Sequence, residues 1–527
     1  MCSGWTTPSL MTNPRKQEWA FTDFPPLRFY EMSEQAGTVF FALQGELPAQ
    51  TIWGFNGRTP GPLIVERYGL LGQPGQGSVL LRLHNNLPVN NGGFGLPSVT
   101  THLHNGHTPL ESDGFPCFFM ERGQFYDHHY PNVLAGVKST HLGVGDIKEA
   151  MHTLWYHDHR IDHTAENTYK GLAGAYILFN EYDTGNEDAP PPNFRLPSFG
   201  DGQNPLTSFD IYMVFNDKVF DEVTGILKFD LFNTDGILGD KFLVNGKIQP
   251  KLSVSPRRYR FRWLNTGPSR FYQMFVLGPN NSTKPFWQIS TDGNLLERPV
   301  QVNSARFSVA ERVDVIVDFT NEAGKTFYLE NRLKQDDGRG PTGEVLGAGQ
   351  GTKILKIIVD GPQVADHSVD PATIPANPPV YFYGFPNTTD QERITRTFRF
   401  ERGNGQWQIN GQLVGGCNNT RFAIKRNTVE KWVFQNNSGG WQHPIHMHFE
   451  EFQTLLLNNQ PPVSTEIITK GRKDILRLEH NMEAKVFFRF RDFTGRFPLH
   501  CHNVVHEDHA MMVLGEINDV GDNKTQP

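Results

Sequence analysis

Three times along this chain an Asn-Gly pair is followed by an alternating run that closes on Asn. The pairs are Asn56-Gly57, Asn245-Gly246 and Asn410-Gly411, and the runs are VLLRLHNN from Val79, YRFRWLNTG from Tyr259 and VEKWVFQNN from Val429. Asn-Gly tolerates positive φ at both central positions of a tight hairpin turn, and a period of two marks a half-buried strand. Recurrence at so long a spacing means three copies of one β unit. Length agrees, because 527 residues exceed what one hydrophobic core can organise. No segment sustains a helical period, so the expected fold class is all-β, with a β-sandwich in each copy.

Two stretches rich in Pro, Asp and Gly separate the copies, NEYDTGNEDAPPPNFRLPSFGDG from Asn180 and VDGPQVADHSVDPATIPANPPV from Val359. They place the expected domains at residues 1–182, 183–375 and 376–527. A stretch at about 132–150, VLAGVKSTHLGVGDIKEA, breaks the strand rhythm. It reads as an insertion with a short helix, lying over an edge of the first domain.

Charge and hydropathy exclude several partners. With 49 Lys and Arg against 56 Asp and Glu and no basic run, nucleic acid is not expected. No apolar run is long enough to cross a membrane, and the first residues lack a basic head followed by an apolar stretch, so an intracellular protein is expected unless the chain is a processed form. Four cysteines, Cys2, Cys117, Cys417 and Cys501, are too few for a disulfide-built scaffold, and they leave an odd number if one binds metal. Six Asn-x-Ser/Thr sequons, at Asn280, Asn281, Asn387, Asn418, Asn436 and Asn523, carry little weight in so Asn-rich a chain.

The 20 histidines are the unusual part of the composition. Four clusters hold most of the signal: THLHNGHTP, LWYHDHRID, WQHPIHMHFEEF and LHCHNVVHEDHAMM. A single His-x-His arises by chance about once in a chain of this composition, but four do not. On a strand, residues i and i+2 share a face, so His-x-His lets one strand offer two imidazoles to one metal cluster. His102/His104, His157/His159, His446/His448 and His500/His502 together offer more rings than one ion can use. The other histidines, His84, His107, His128, His129, His141, His152, His163, His367, His480 and His509, lack this spacing and read as structural or solvent-facing.

In His500-Cys501-His502 the same alternation turns the two rings one way and the thiol the other, so one strand touches two metal sites. Cys501 with His443, His506 and a weak axial Met511 makes the His2Cys-plus-thioether set of an electron-transfer copper centre, since thiolate and imidazole select copper. Zinc prefers closed sets of four ligands, usually richer in thiolate.

These motifs resemble the multicopper oxidases, and within them the bilirubin oxidase and spore-coat laccase group. The resemblance runs from about Trp53 to about Leu514 and is strongest in WYHDH with HTAENTYKGLAG, in GGWQHPIHMH and in HCHNVVHEDHAMM. It implies three consecutive cupredoxin-like Greek-key β-sandwich domains, with no copper ligand in the second. It also implies four coppers per chain: type 1 at His443, Cys501, His506 and Met511, type 2 at His102 and His446, and a type 3 pair at His104, His157, His159, His448, His500 and His502. Asp113 and Glu507 match carboxylates that feed protons to oxygen, and Trp441 matches the bilirubin oxidase form of its motif. The implied partners are O2 and a small reducing substrate, and a monomer is expected. The insertion, Asn105 and the middle domain depart from the pattern where substrate access could differ. The implied activity is oxidation of phenols, aminophenols or tetrapyrroles such as bilirubin, coupled to reduction of O2 to water. A cuprous or ferrous oxidase is the alternative, although the 11 Met are scattered rather than gathered in one loop. A copper carrier would need only the Cys501 set.

Overall fold

The computed structural model describes residues 23–43, 45–69, 76–202, 204–462 and 471–527. Cys2 therefore lies outside the described residues. The chain is all-β as expected. Its described strands form six sheets that fall into three consecutive pairs: two four-stranded sheets between residues 28 and 179, an eight- and a six-stranded sheet between 210 and 359, and a six- and a five-stranded sheet between 394 and 518. No described strand lies between Phe179 and Asp210 or between Val359 and Ile394. Those gaps coincide with the two Pro-rich stretches.

The recurring motif does the same work three times. Asn56, Asn245 and Asn410 all sit at positive φ, followed by a glycine also at positive φ, as a primed hairpin turn demands. Each Asn side chain accepts from a backbone N–H of the strand that opens its unit: Ser33 at 2.9 Å, Val214 at 2.8 Å and Arg399 at 2.7 Å. That opening strand then pairs in parallel with the alternating run, as Arg28–Val39 with Val79–Asn86, Asp210–Phe220 with Arg258–Asn265, and Ile394–Gly403 with Thr428–Asn436. The first Asn at the end of each run staples a loop through its amide, Asn85 to Pro97 and Met120, Asn265 to Arg270, and Asn436 to Trp441 and Leu478. Asn436 is therefore buried and committed, which removes that sequon from the surface.

Aromatic side chains fill the sandwiches. Trp432, fully buried, meets Phe398, Phe422, Phe488 and Phe490 in the third unit, and truncating such a ring costs about 3–5 kcal/mol. The first and third units are joined closely. A disulfide links Cys117 to Cys417. Glu149 pairs with Arg472 at 2.5 Å and Arg491 at 2.9 Å. The expected insertion contains only a 3-10 turn, Ile147–Glu149, and does not lie over the first unit alone. Asp492 of the third unit accepts from Gly136 N, Lys138 N and Ser139 Oγ at 2.5, 2.9 and 2.8 Å, and Val133 and Val137 enter the third unit's core.

Candidate metal centres

Four strands bring the His-x-His pairs together. Thr101–His104 pairs with Thr153–Asp158 in the first unit, setting His102 opposite His157, and His443–Met447 pairs with Gly495–Cys501 in the third, setting His446 opposite His500. Strand alternation turns the remaining members of each pair to the same face. The two faces meet between the units: the His102 and His448 rings stack at 3.8 Å and those of His104 and His446 at 3.9 Å. All eight imidazoles are buried.

Six of the eight rings are hydrogen-bonded from outside through one nitrogen, His500 through Nδ1 to the Cys501 carbonyl at 3.2 Å among them, and a seventh, His159, faces a carboxylate, which fixes where the other nitrogen points. His102 Nδ1 donates to Asp113 O at 2.5 Å, His446 Nδ1 to Asp474 O at 2.9 Å and His157 Nδ1 to Asp158 O at 2.7 Å. His448 Nδ1 meets Asp113 Oδ2 at 2.7 Å, and Glu507 faces His159 Nδ1 at 3.3 Å and His500 Nδ1 at 3.1 Å. His104 is turned the other way, with Nε2 on Asp474 Oδ1 at 2.8 Å and Nδ1 inward. The inner nitrogens of His159, His448 and His500 converge to 3.0–3.3 Å of one another. Those of His102, His104, His157 and His446, with both nitrogens of His502, have no hydrogen-bond partner. Buried imidazole nitrogens are rarely left so, and a metal cluster is what would satisfy them. The donor set fits copper.

The second site lies on the far side of Cys501. Its thiol stands 3.4 Å from His443 Nδ1 and 3.6 Å from His506 Nδ1, and the two ring nitrogens are 3.1 Å apart. Both rings are held by Nε2, His443 on Ser438 Oγ at 2.7 Å and His506 on Asp235 O of the middle unit at 3.0 Å. The backbone N–H of Asn503 points at the thiol sulfur at 3.4 Å. Met511 is fully buried in the same core, and its carbonyl accepts from Cys501 N. This set too fits copper, as two imidazoles and a thiolate.

Burial holds His443 and His157 down to about 3 and His159 down to about 4, so these rings are neutral with a lone pair free. The two carboxyls differ. Burial pushes Asp113 well above the usual carboxylate range. Burial also acts to raise Glu507, but His500 and His159 outweigh it and hold the group low, at about 2. Thr164 Oγ1 donates to Glu507 Oε1 at 2.9 Å, and Thr164 N and Ala165 N, at the start of the helix Thr164–Lys170, donate to Asp508 at 2.9 and 2.8 Å. The helix of the first unit thereby locks the Glu507 turn of the third.

Trp441 is half-buried, edge-on to Trp407 at 5.4 Å, with Arg339 and Arg402 at 4.7 and 4.8 Å from its ring. The aromatic against the ligand rings is Trp407, 4.0 Å from His506 and 5.4 Å from His443, and no spacing in the sequence singled it out. Trp155 was legible by alternation, two residues before His157, on whose ring it stacks at 4.2 Å. Asp474 carried no signal. Asn105 holds φ at 69° and donates to Glu451, while His107 and His152 bind Asp492 and the Leu178 carbonyl, away from the cluster.

Residues 386–519 match the multicopper oxidase family profile. A bilirubin oxidase of Albifimbria verrucaria is 32% identical over 482 residues, covering 89% of this chain and 73% of that protein. A laccase of Bacillus subtilis is 29% identical over 549 residues, covering 93% and 94%. The crystal structure of the McoA multicopper oxidase from Aquifex aeolicus superposes with a TM-score of 0.73 at 23% identity, over 94% of this chain and 97% of that one, which supports a cupredoxin-like fold across the three units.

Proposed function

This chain belongs to the multicopper oxidase family, copper oxidoreductases that use O2, and on that footing we propose that its donors are small organic molecules: phenols, aminophenols or tetrapyrroles such as bilirubin. In this reading His443, Cys501, His506 and Met511 hold type 1 copper, His102 and His446 type 2, and His104, His157, His159, His448, His500 and His502 the type 3 pair. Copper bound there supplies one-electron redox chemistry and a place where O2 is reduced. The domains are taken as 1–182, 183–375 and 376–527.

One observation carries the reading: the strand Gly495–Cys501 and the residue after it put Cys501 at one buried donor set and His500 and His502 at the other. Adjacent residues thus join a site suited to single-electron donors to a site suited to O2. The chain's own groups divide the remaining work. Trp407 packs on the His443 and His506 rings, and the half-buried Trp441, under Arg339 and Arg402, lies between them and the surface where a donor would approach. Asp113 and Glu507 lie next to the inner cluster, one favoured protonated and one favoured ionised, which is how paired carboxyls divide acid and base roles. Copper-loaded protein assayed for O2 uptake against phenols, aminophenols, bilirubin, Fe(II) and Cu(I) tests the proposal. Faster turnover of either metal ion than of every organic donor would overturn it.

A further inference from the structure

The middle unit reaches the floor of the histidine cluster through two buried side chains, Arg312 and Asp292. Arg312 Nε donates to Thr153 O at 3.0 Å, on the first-unit strand that carries His157. Its Nη1 and Nη2 donate to Asp474 Oδ1 and Oδ2 at 2.9 and 2.5 Å, in the third unit. Asp474 in turn accepts from His104 Nε2 through Oδ1 at 2.8 Å and from His446 Nδ1 through its carbonyl at 2.9 Å. Its own N–H donates to Asp292 of the middle unit at 3.0 Å. Arg312 is wholly buried and Asp474 almost so.

Asp474 lies close enough to His104 and His446 to be taken for a third ligand. Its carboxylate is already committed, Oδ1 to His104 and Arg312 and Oδ2 to Arg312, in the two-pronged geometry that a guanidinium gives a carboxylate. What it does to the rings is directional. A carboxylate on His104 Nε2 keeps the proton there and leaves the Nδ1 lone pair inward, and a carbonyl on His446 Nδ1 leaves Nε2 inward.

We propose that Asp474 and Arg312 are positioning residues for the copper cluster: Asp474 fixes the tautomer and direction of His104 through its carboxylate and holds His446 through its backbone carbonyl, and Arg312 anchors Asp474 in place for both contacts, so that the middle unit governs how firmly copper is held at this end of the cluster. The inference rests on the ligand assignment proposed above. Of the coppers assigned there, the one at His102 and His446 has the fewest protein ligands, so a displaced Asp474, whose carbonyl holds His446, releases it first.

Two variants test it. Asp474→Asn keeps the size but sets an amide N–H₂ against either Arg312 or His104 Nε2–H, so one contact is lost. Arg312→Lys keeps the charge but cannot span both oxygens of Asp474 and Thr153 O. In each, the type 2 copper should be held about 10–100-fold more weakly, the usual effect of removing a partner that orients a metal ligand. The readouts are copper per chain, the rate of copper loss to a chelator and the type 2 electron paramagnetic resonance signal, with the Cys501 blue colour recorded in the same samples. The expected result is loss of the type 2 signal and of one copper while the colour persists. Arg396→Lys weakens a buried pair with Glu430 that touches none of these histidines, and it should leave the type 2 signal unchanged. Variants that keep wild-type copper retention would overturn the proposal. So would variants that lose colour and type 2 signal together, since the pair would then hold the fold and not the cluster. Wild-type protein that takes up no copper at these histidines would instead sink the ligand assignment.

Discussion

Asp113 Oδ2 accepts from His448 Nδ1 at 2.7 Å, although the two residues stand 335 positions apart. The same residue's carbonyl holds His102, so one acidic residue of the first unit orients a ring from each side of the cluster. Asp113→Asn keeps an oxygen for His448 and the backbone contact to His102, and removes the carboxyl proton. Copper content should stay at the wild-type level while O2 turnover falls about 10–100-fold. Copper counting and O2 uptake on one preparation check this, and undiminished turnover would leave Asp113 a scaffold only.

Cys501→Ser should abolish both the blue colour and donor oxidation. A hydroxyl cannot replace the soft thiolate between His443 and His506. The histidines of the larger cluster keep their outer partners in this variant, so copper should still bind there. Retained colour at full copper loading would refute the assignment of Cys501.

Met511→Leu should raise the potential of the same centre, because even a weak axial donor favours the oxidised ion. The residue is buried, so leucine of similar volume should cost under about 1.5 kcal/mol of stability. A redox titration decides it. An unchanged or lower potential would mean that Met511 is not axial.

Alternation made much of the site legible. The i, i+2 rule alone aimed four His pairs at one place and split His500 and His502 from Cys501, because a strand has only two faces. The Asn-Gly turns did the same for the fold, since only a turn with two positive φ angles puts that Asn side chain onto the opening strand. Contacts between units were not legible. Asp474 reaches His104 across 370 positions and Trp407 packs on His506 with no local pattern to announce either. The Cys117–Cys417 bridge spans 300 positions, and nothing local to either cysteine shows that the other faces it.

Glu149 offers a test of the contact between first and third units. Burial acts to raise its pKa, yet the Arg472 and Arg491 guanidiniums outweigh that and bring it down to about 2. A folded-state pKa below the unfolded value stabilises the protein at all pH above about 4.5, and that contribution fades as pH falls toward about 2. Glu149→Gln leaves two buried guanidiniums short of a charge and should cost about 3 kcal/mol near neutral pH. Denaturant midpoints of the two proteins should converge as the medium is acidified from about pH 4.5. A gap independent of pH would show that the lost term is packing and not charge.

Each O2 reduced to water would consume protons beside histidines that are fully buried, so side chains must pass those protons inward. Glu507 lies between His159 and His500 and takes a hydrogen bond from Thr164, whose helix start is itself pinned by Asp508. It can therefore act either as a proton carrier or as a brace for the two rings. Glutamine separates these roles, because it keeps the size and can still accept from Thr164 but cannot release or take up the carboxyl proton. Glu507→Gln should keep its copper and its blue colour while O2 turnover falls, and the deficit should widen as pH rises and protons become scarce. A brace would behave otherwise: the variant would turn over nearly as fast as the native protein, with a pH profile of the same shape. Steady-state O2 uptake across pH, with copper counted in the same samples, distinguishes the two, and native rates throughout would remove Glu507 from proton delivery.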